Sequence, residues 1–226
     1  MSVEFREHDG GGPPLVLLHG FGASAADLYP LTAQSCIGRY RTVVPEAPKL
    51  IRFDGRIVGR AWFPRDDAGI ERALFGGYFD TLRELDPPGL SESADELVDL
   101  IDALELDTDD AVFAGFSQGA MVAVETAMAL AKQGRRPKAL ILFSGAMIAG
   151  VRWSRDIHLL SGLPVFQSHG RFDTVLAPQQ GEDLGRELDR AGCRRRFLQF
   201  DGPHGIPEDV LSECCSFLSD VETGAV

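Results

Sequence analysis

The chain is short of most features that would assign it to a membrane, a nucleic acid or a metal. No apolar run approaches the roughly 20 residues that a membrane-spanning helix needs. The N-terminus has no basic segment followed by an apolar core, so no secretory leader is expected. Positive charge is scarce: 22 Lys and Arg stand against 34 Asp and Glu, a net charge of −12. Nucleic-acid phosphates would be repelled, and stable insertion or docking at an anionic membrane is disfavoured. The single basic run, Arg194-Arg195-Arg196, reads as a solvated strand edge. Only four cysteines occur, Cys36, Cys193, Cys214 and Cys215, with no metal-ligand spacing. Cys214 and Cys215 are adjacent on one expected helix and face different directions, so they do not readily bridge each other. Four reduced thiols in a cytoplasmic protein are the expectation. Neither G-x-G-x-x-G nor G-K-[ST] is present, which removes the usual phosphate-cradling loops.

What is present suits a compact enzyme. The chain has 226 residues, 44% of them hydrophobic, with no internal repeat or linker between two cores. One domain over residues 1–226 can bury a sizeable core. Apolar strand-like runs alternate with helical patterns, which argues for an α/β fold with a mostly parallel sheet. Expected strands include Leu15–Leu18, one near Thr42-Val43-Val44, Ala111–Ala114, Ala139–Phe143, Leu163–Ser168 and Arg195–Phe200. Expected helices run from about Ser91 to Leu104, Gln118 to Gln133 and Gln179 to Arg190, with another starting near Pro207.

The most informative stretch is Gly115-Phe116-Ser117-Gln118-Gly119, because a short apolar run precedes it and a helical pattern follows it. A strand turning sharply into a helix at G-x-S-x-G is a nucleophile elbow. The turn forces the serine into a strained backbone conformation, and a Cβ on either glycine would strike a neighbouring element. Ser117 is therefore the candidate nucleophile.

A serine at its ordinary pKa is a weak nucleophile and needs a base, itself oriented by an acid. In this architecture the two follow the serine in the order acid, then histidine. Asp173 lies just past the Leu163–Ser168 strand, and His204 lies on the turn after the last strand. His204 is the candidate base, with His169 as its rival. Asp173 is the candidate acid, with Asp201 as the alternative. His19 and His169 each precede a glycine at a strand end and are expected to hold their loops. His8 and His158 sit in polar stretches and are expected to be solvated.

Leu15–Leu18 reads as a central strand covered on both faces, and it runs into His19-Gly20-Phe21-Gly22-Ala23-Ser24. Backbone N–H groups of such a loop and of the residue after the nucleophile form an oxyanion hole. Phe21 and Gln118 are the candidates.

Together, His19-Gly20-Phe21-Gly22, Gly115-Phe116-Ser117-Gln118-Gly119, His169-Gly170-Arg171-Phe172-Asp173 and Gly202-Pro203-His204-Gly205-Ile206-Pro207 resemble the phospholipase/carboxylesterase family of α/β hydrolases. That family includes acyl-protein thioesterases and small bacterial carboxylesterases. The resemblance extends from about Leu15 to Leu218 and includes Arg60-Ala61-Trp62-Phe63, which in the family belongs to the substrate-cleft loop. Here Pro64 replaces the aspartate that usually follows, and Ala120 replaces a second glycine after the elbow. The resemblance implies an α/β-hydrolase fold with helices on both sheet faces. It further implies a serine hydrolase that cleaves carboxylic esters or thioesters through an acyl-enzyme, with no metal or organic cofactor.

The stretch from about 48 to 88 is long for a strand-to-helix connection. Its aromatic and aliphatic residues suggest a lid-like insertion and an apolar wall for an acyl group, with Trp62 and Phe63 as candidate lining residues. The expected partner is a small-molecule or acyl-chain ester. Two alternatives are a serine hydrolase of lactones or peptides and a non-catalytic ligand-binding protein of the same fold. No feature of the sequence points to an oligomeric state.

Overall fold

The structure, a computed structural model, describes residues 3–64 and 79–226. Nine strands occur in it: β1 (Phe5–Asp9), β2 (Pro14–Leu18), β3 (Arg41–Pro45), β4 (Lys49–Phe53), β5 (Arg56–Ala61), β6 (Val112–Phe116), β7 (Ala139–Phe143), β8 (Pro164–Gly170) and β9 (Arg194–Phe200). The helices are α1 (Ala25–Leu28), α2 (Leu90–Ala103), α3 (Gln118–Lys132), α4 (Gly150–Asp156), α5 (Pro178–Arg190) and α6 (Glu208–Thr223). Seven strands form one sheet in the order β1-β3-β2-β6-β7-β8-β9. Among the described residues, only the β1–β3 pair of this sheet is antiparallel. The mostly parallel sheet expected from the alternating pattern is therefore the observed one.

Successive side chains of a strand point to opposite faces, and here both faces are covered. On β7, Leu140 and Leu142 enter an apolar cluster with α2, α3, α4 and α5. Ala139, Ile141 and Phe143 enter a second cluster with α1 and α6 on the other face. This two-sided burial explains why the central strands are continuous apolar runs rather than alternating ones. The basic run Arg194–Arg196 lies on the edge strand β9 as expected, with Arg195 bound to Asp189 and Arg196 to Asp220.

Two features depart from the sequence reading. The long insertion contains a hairpin, β4–β5, paired antiparallel; Leu74, Phe75 and Tyr78, among the aliphatic and aromatic residues expected in its apolar wall, lie outside the described residues. The cysteines are not all reduced: Cys36 and Cys215, 179 residues apart, form a disulfide. The expectation failed because the pairing depends on docking α6 against the chain just before β3, which local spacing does not encode. Cys193 and Cys214 are free, and burial pushes their thiols up to about 11 and about 12. Among the described residues, no helix is long and apolar enough to cross a membrane. Among the same residues, no group of three or more His, Cys, Asp or Glu is arranged to hold a metal ion.

Candidate active site

Ser117 stands between β6 and α3 with φ 55° and ψ −117°, a positive-φ conformation costly for a residue with a side chain. Surrounding hydrogen bonds impose it. Its N–H donates to Phe143 O on β7 at 2.9 Å, and its own carbonyl accepts from Ala120 N–H at 3.0 Å. The flanking glycines are required by contact. A Cβ on Gly119 would lie 2.2 Å from Leu18 O, and one on Gly115 would lie 2.3 Å from Gly119 O. The steric argument made for these two glycines from sequence therefore holds in three dimensions.

His204 and Asp173 come from the loops after β9 and β8 and meet at the same sheet edge. Nδ1 of His204 lies 2.6 Å from Asp173 Oδ2. The other carboxylate oxygen accepts the backbone N–H groups of Val175 and Leu176 at 2.9 and 2.8 Å. Burial alone would raise the Asp173 carboxyl. Hydrogen bonds from His169, His204 and the Leu176 amide outweigh it and hold the group well below the usual carboxylate range. Since Asp173 stays ionised, the tautomer assigned to His204 carries its proton on Nδ1. Ser117 and His204 line one cavity of about 310 Å³. Among the described residues Ser117 Oγ makes no hydrogen bond, as is common before substrate binds. The Phe116 ring packs on the His204 ring with centroids 4.7 Å apart.

Neither rival from the sequence reading lines the cavity, although His169 reaches Asp173 Oδ2 from behind at 3.3 Å. Asp201 is exposed and pairs with Arg171 at 2.7 Å. His169 is fully buried, with Nε2 2.9 Å from Leu176 O. His19 is buried as well, with Nδ1 2.8 Å from Gly20 O and Nε2 accepting from Ala47 N–H at 3.1 Å. Burial pushes its pKa down, so it serves as a neutral brace for its loop. His158 lies on the surface with Nδ1 2.7 Å from Arg155 O. His8 is half-buried rather than free in solvent, with Nε2 2.9 Å from Gly38 O.

Phe21 also lines the cavity, on the loop after β2. That loop is braced by the hairpin: Gly22 N–H donates to Arg60 O at 2.8 Å, and Arg60 N–H donates to Ala23 O at 3.0 Å. Backbones approach so closely that a Cβ on Gly59 would lie 2.1 Å from Gly22 O. Gln118 begins α3, where N–H groups have no preceding helical carbonyl. Its side chain has a second task that sequence reasoning missed. The Gln118 amide accepts from Trp62 N–H and donates to Phe63 O, both at 2.9 Å. No local signal announces a bracket between positions about 55 residues apart.

Phe63 lines the cavity, with Leu82, Leu85, Met121, Ile148 and Leu176. Trp62 does not line it. The indole is 1% exposed, donates to His19 O at 2.8 Å and lies behind the wall. An indole N–H seeks a partner when buried, and here that partner is the loop carrying Phe21.

A model of the phospholipase/carboxylesterase family matches residues 10–222. The chain is 26% identical over 221 residues to acyl-protein thioesterase 1 of the yeast Debaryomyces hansenii, covering 92% of this chain and 90% of that protein. Among solved structures, esterase PE8 superposes with a TM-score of 0.75 at 27% identity, covering 97% of this chain and 98% of that one. A carboxylesterase from Mesorhizobium loti superposes with a TM-score of 0.72 at 19% identity, covering 97% and 95%. That last likeness speaks for the fold alone.

Proposed function

The chain belongs to the phospholipase/carboxylesterase family of ester-hydrolysing enzymes, and from that premise we propose that Ser117, Asp173 and His204 form its catalytic triad. One observation carries the reading: the 2.6 Å His204–Asp173 contact opens onto the same cavity as a serine held at positive φ. In the proposed reaction Ser117 Oγ attacks the carbonyl carbon of an ester or thioester while His204 Nε2 takes its proton. Asp173 fixes the imidazole tautomer and stabilises the imidazolium. The Phe21 and Gln118 amides hold the tetrahedral oxyanion, a contribution on the order of 10²–10³ in rate per donor. Collapse of the intermediate breaks the bond to the leaving group, which takes the proton from His204. Water then cleaves the acyl-enzyme by the same proton relay, returning Ser117 and releasing the carboxylic acid.

The aliphatic and aromatic lining supports an uncharged apolar acyl group as the part of the substrate held in the cavity, with Phe63 in the wall and Trp62 behind it. Residues 1–226 act as one domain in this proposal. A cytoplasmic location is also part of it, and there the Cys36–Cys215 disulfide would stand against a thiol-buffered pool that disfavours such bonds. Counting reactive thiols in protein taken directly from cells checks that point.

The decisive experiment is hydrolysis of p-nitrophenyl esters from acetate to palmitate by the wild type and by Ser117→Ala. The proposal expects a loss in kcat on the order of 10⁴ or more in the variant. Equal turnover by the two proteins would remove Ser117 from the mechanism.

A further inference from the structure

His169 is fully buried near the end of β8, yet the mechanism above gives it no step. Its Nε2 lies 2.9 Å from Leu176 O and 3.3 Å from Asp173 Oδ2, the same oxygen that faces His204 Nδ1. Among the described residues, its other nitrogen, Nδ1, is buried with no hydrogen-bond partner. Helix α5 closes over that nitrogen so tightly that a Cβ on Gly181 would lie 2.4 Å from it. Both acceptors stand at Nε2 and none at Nδ1, so the proton belongs on Nε2. The ring thus presents its Nε2–H to the Leu176 carbonyl and to an ionised carboxylate.

We propose that His169 is a positioning residue for Asp173: its imidazole N–H, anchored on Leu176 O and sealed by Gly181, fixes Oδ2 for His204 and limits how strongly that oxygen draws the His204 proton. This rests on the reading of Ser117, Asp173 and His204 as the triad. Besides its hold on the loop carbonyl, His169 shares an acceptor with the base. Removing it leaves the carboxylate facing His204 alone. The imidazolium is then better stabilised, so His204 holds its proton to higher pH while the carboxylate loses orientation. The other charged groups nearby are Arg171 on the same loop and Asp201 after β9, which pair with each other. Glu182 and Asp183 follow Gly181 on α5, and Asp183 pairs with Arg186.

The test measures kcat/KM for p-nitrophenyl butyrate against pH, by pH-stat, in the wild type, His169→Leu and His169→Gln. Ser117→Ala serves as the control. Leu removes the donor, and Gln carries an amide N–H to about the place of Nε2. The expected result is an acid limb raised by about half a pH unit or more in His169→Leu, with kcat down about tenfold, and both restored in His169→Gln. If His169→Leu does not fold, His169→Asn replaces it, because its shorter amide falls short of Oδ2 and the limb should still rise. An acid limb at the wild-type position in every His169 variant, whatever happens to kcat, overturns the inference while an inactive Ser117→Ala leaves the triad standing. Full activity in Ser117→Ala overturns the triad and this inference with it.

Discussion

The two ends of the sheet are built on opposite principles. At the C-terminal ends of β2, β6, β8 and β9 the chain tolerates positive φ at Ser117, a buried ionised Asp173 and a His169 nitrogen with no hydrogen-bond partner among the described residues. At the other end, the chain before β3 is tied to α6 by covalent and ionic links. Cys36 bridges Cys215, the Tyr40 hydroxyl donates to Glu222 at 2.7 Å, and Arg39 pairs with Glu222 at 2.9 Å. Strain and buried charge collect where chemistry is proposed, and redundant ties collect where it is not. The contrast teaches that one end can hold a destabilised site because the rest of the fold over-determines it.

The sharpest way to break that comparison is to crowd the elbow. Gly119→Ala puts a Cβ against the Leu18 carbonyl, and that backbone cannot retreat without moving β2. We expect kcat/KM to fall about 10²-fold or more as Ser117 shifts, with about 1–3 kcal/mol of stability lost. A variant with wild-type kinetics would show that the elbow is looser than its contacts imply.

The mirror-image change is Cys215→Ser. Opening a loop of this length should lower the unfolding free energy by about 2–4 kcal/mol in urea denaturation. It should leave kcat/KM for p-nitrophenyl butyrate within about twofold, because neither cysteine lines the cavity. A large drop in activity would mean that the two ends are coupled after all.

A smaller effect sharpens the strain argument. Ser117→Gly removes the side chain that makes φ 55° costly. We expect it to be more stable than Ser117→Ala by about 1 kcal/mol, with both inactive. Equal stability would remove stored backbone strain from the description of this end.

The smallest effect concerns acid. The folded protein holds the Asp173 carboxyl well below its usual range. Its contribution to stability is therefore complete above about pH 4, the unfolded value, and is lost as pH falls through the lower folded value. Asp173→Asn keeps an oxygen for the Val175 and Leu176 amides but does not titrate. Its denaturation midpoint should fall less between pH 5 and pH 2 than that of the wild type. Parallel curves would place the acid sensitivity in other carboxylates.

Much of this was legible in the linear chain because it is local. The elbow glycines, the apolar runs of β2, β6 and β7 and the glycine-rich loop before α1 each follow from steric or burial rules acting over a few residues. Asp173 and His204 could be named because each follows a readable strand, and parallel strands bring their C-terminal ends to one edge. The Trp62 assignment failed for the complementary reason. An exposed lining ring and a buried brace need the same residue type, and only the His19 carbonyl opposite the indole distinguishes them.

The sequence by itself determined the α/β pattern, the identity of the elbow and the residue types offered to the site, since propensity, periodicity and glycine sterics operate along the chain. Only the tertiary structure decided which carboxylate His204 meets, that Asp201 turns outward to Arg171, that Gln118 brackets the Trp62–Phe63 backbone, and that Cys36 finds Cys215. Those are pairings between distant segments. They are fixed by how helices dock on a finished sheet, and no local rule carries that information.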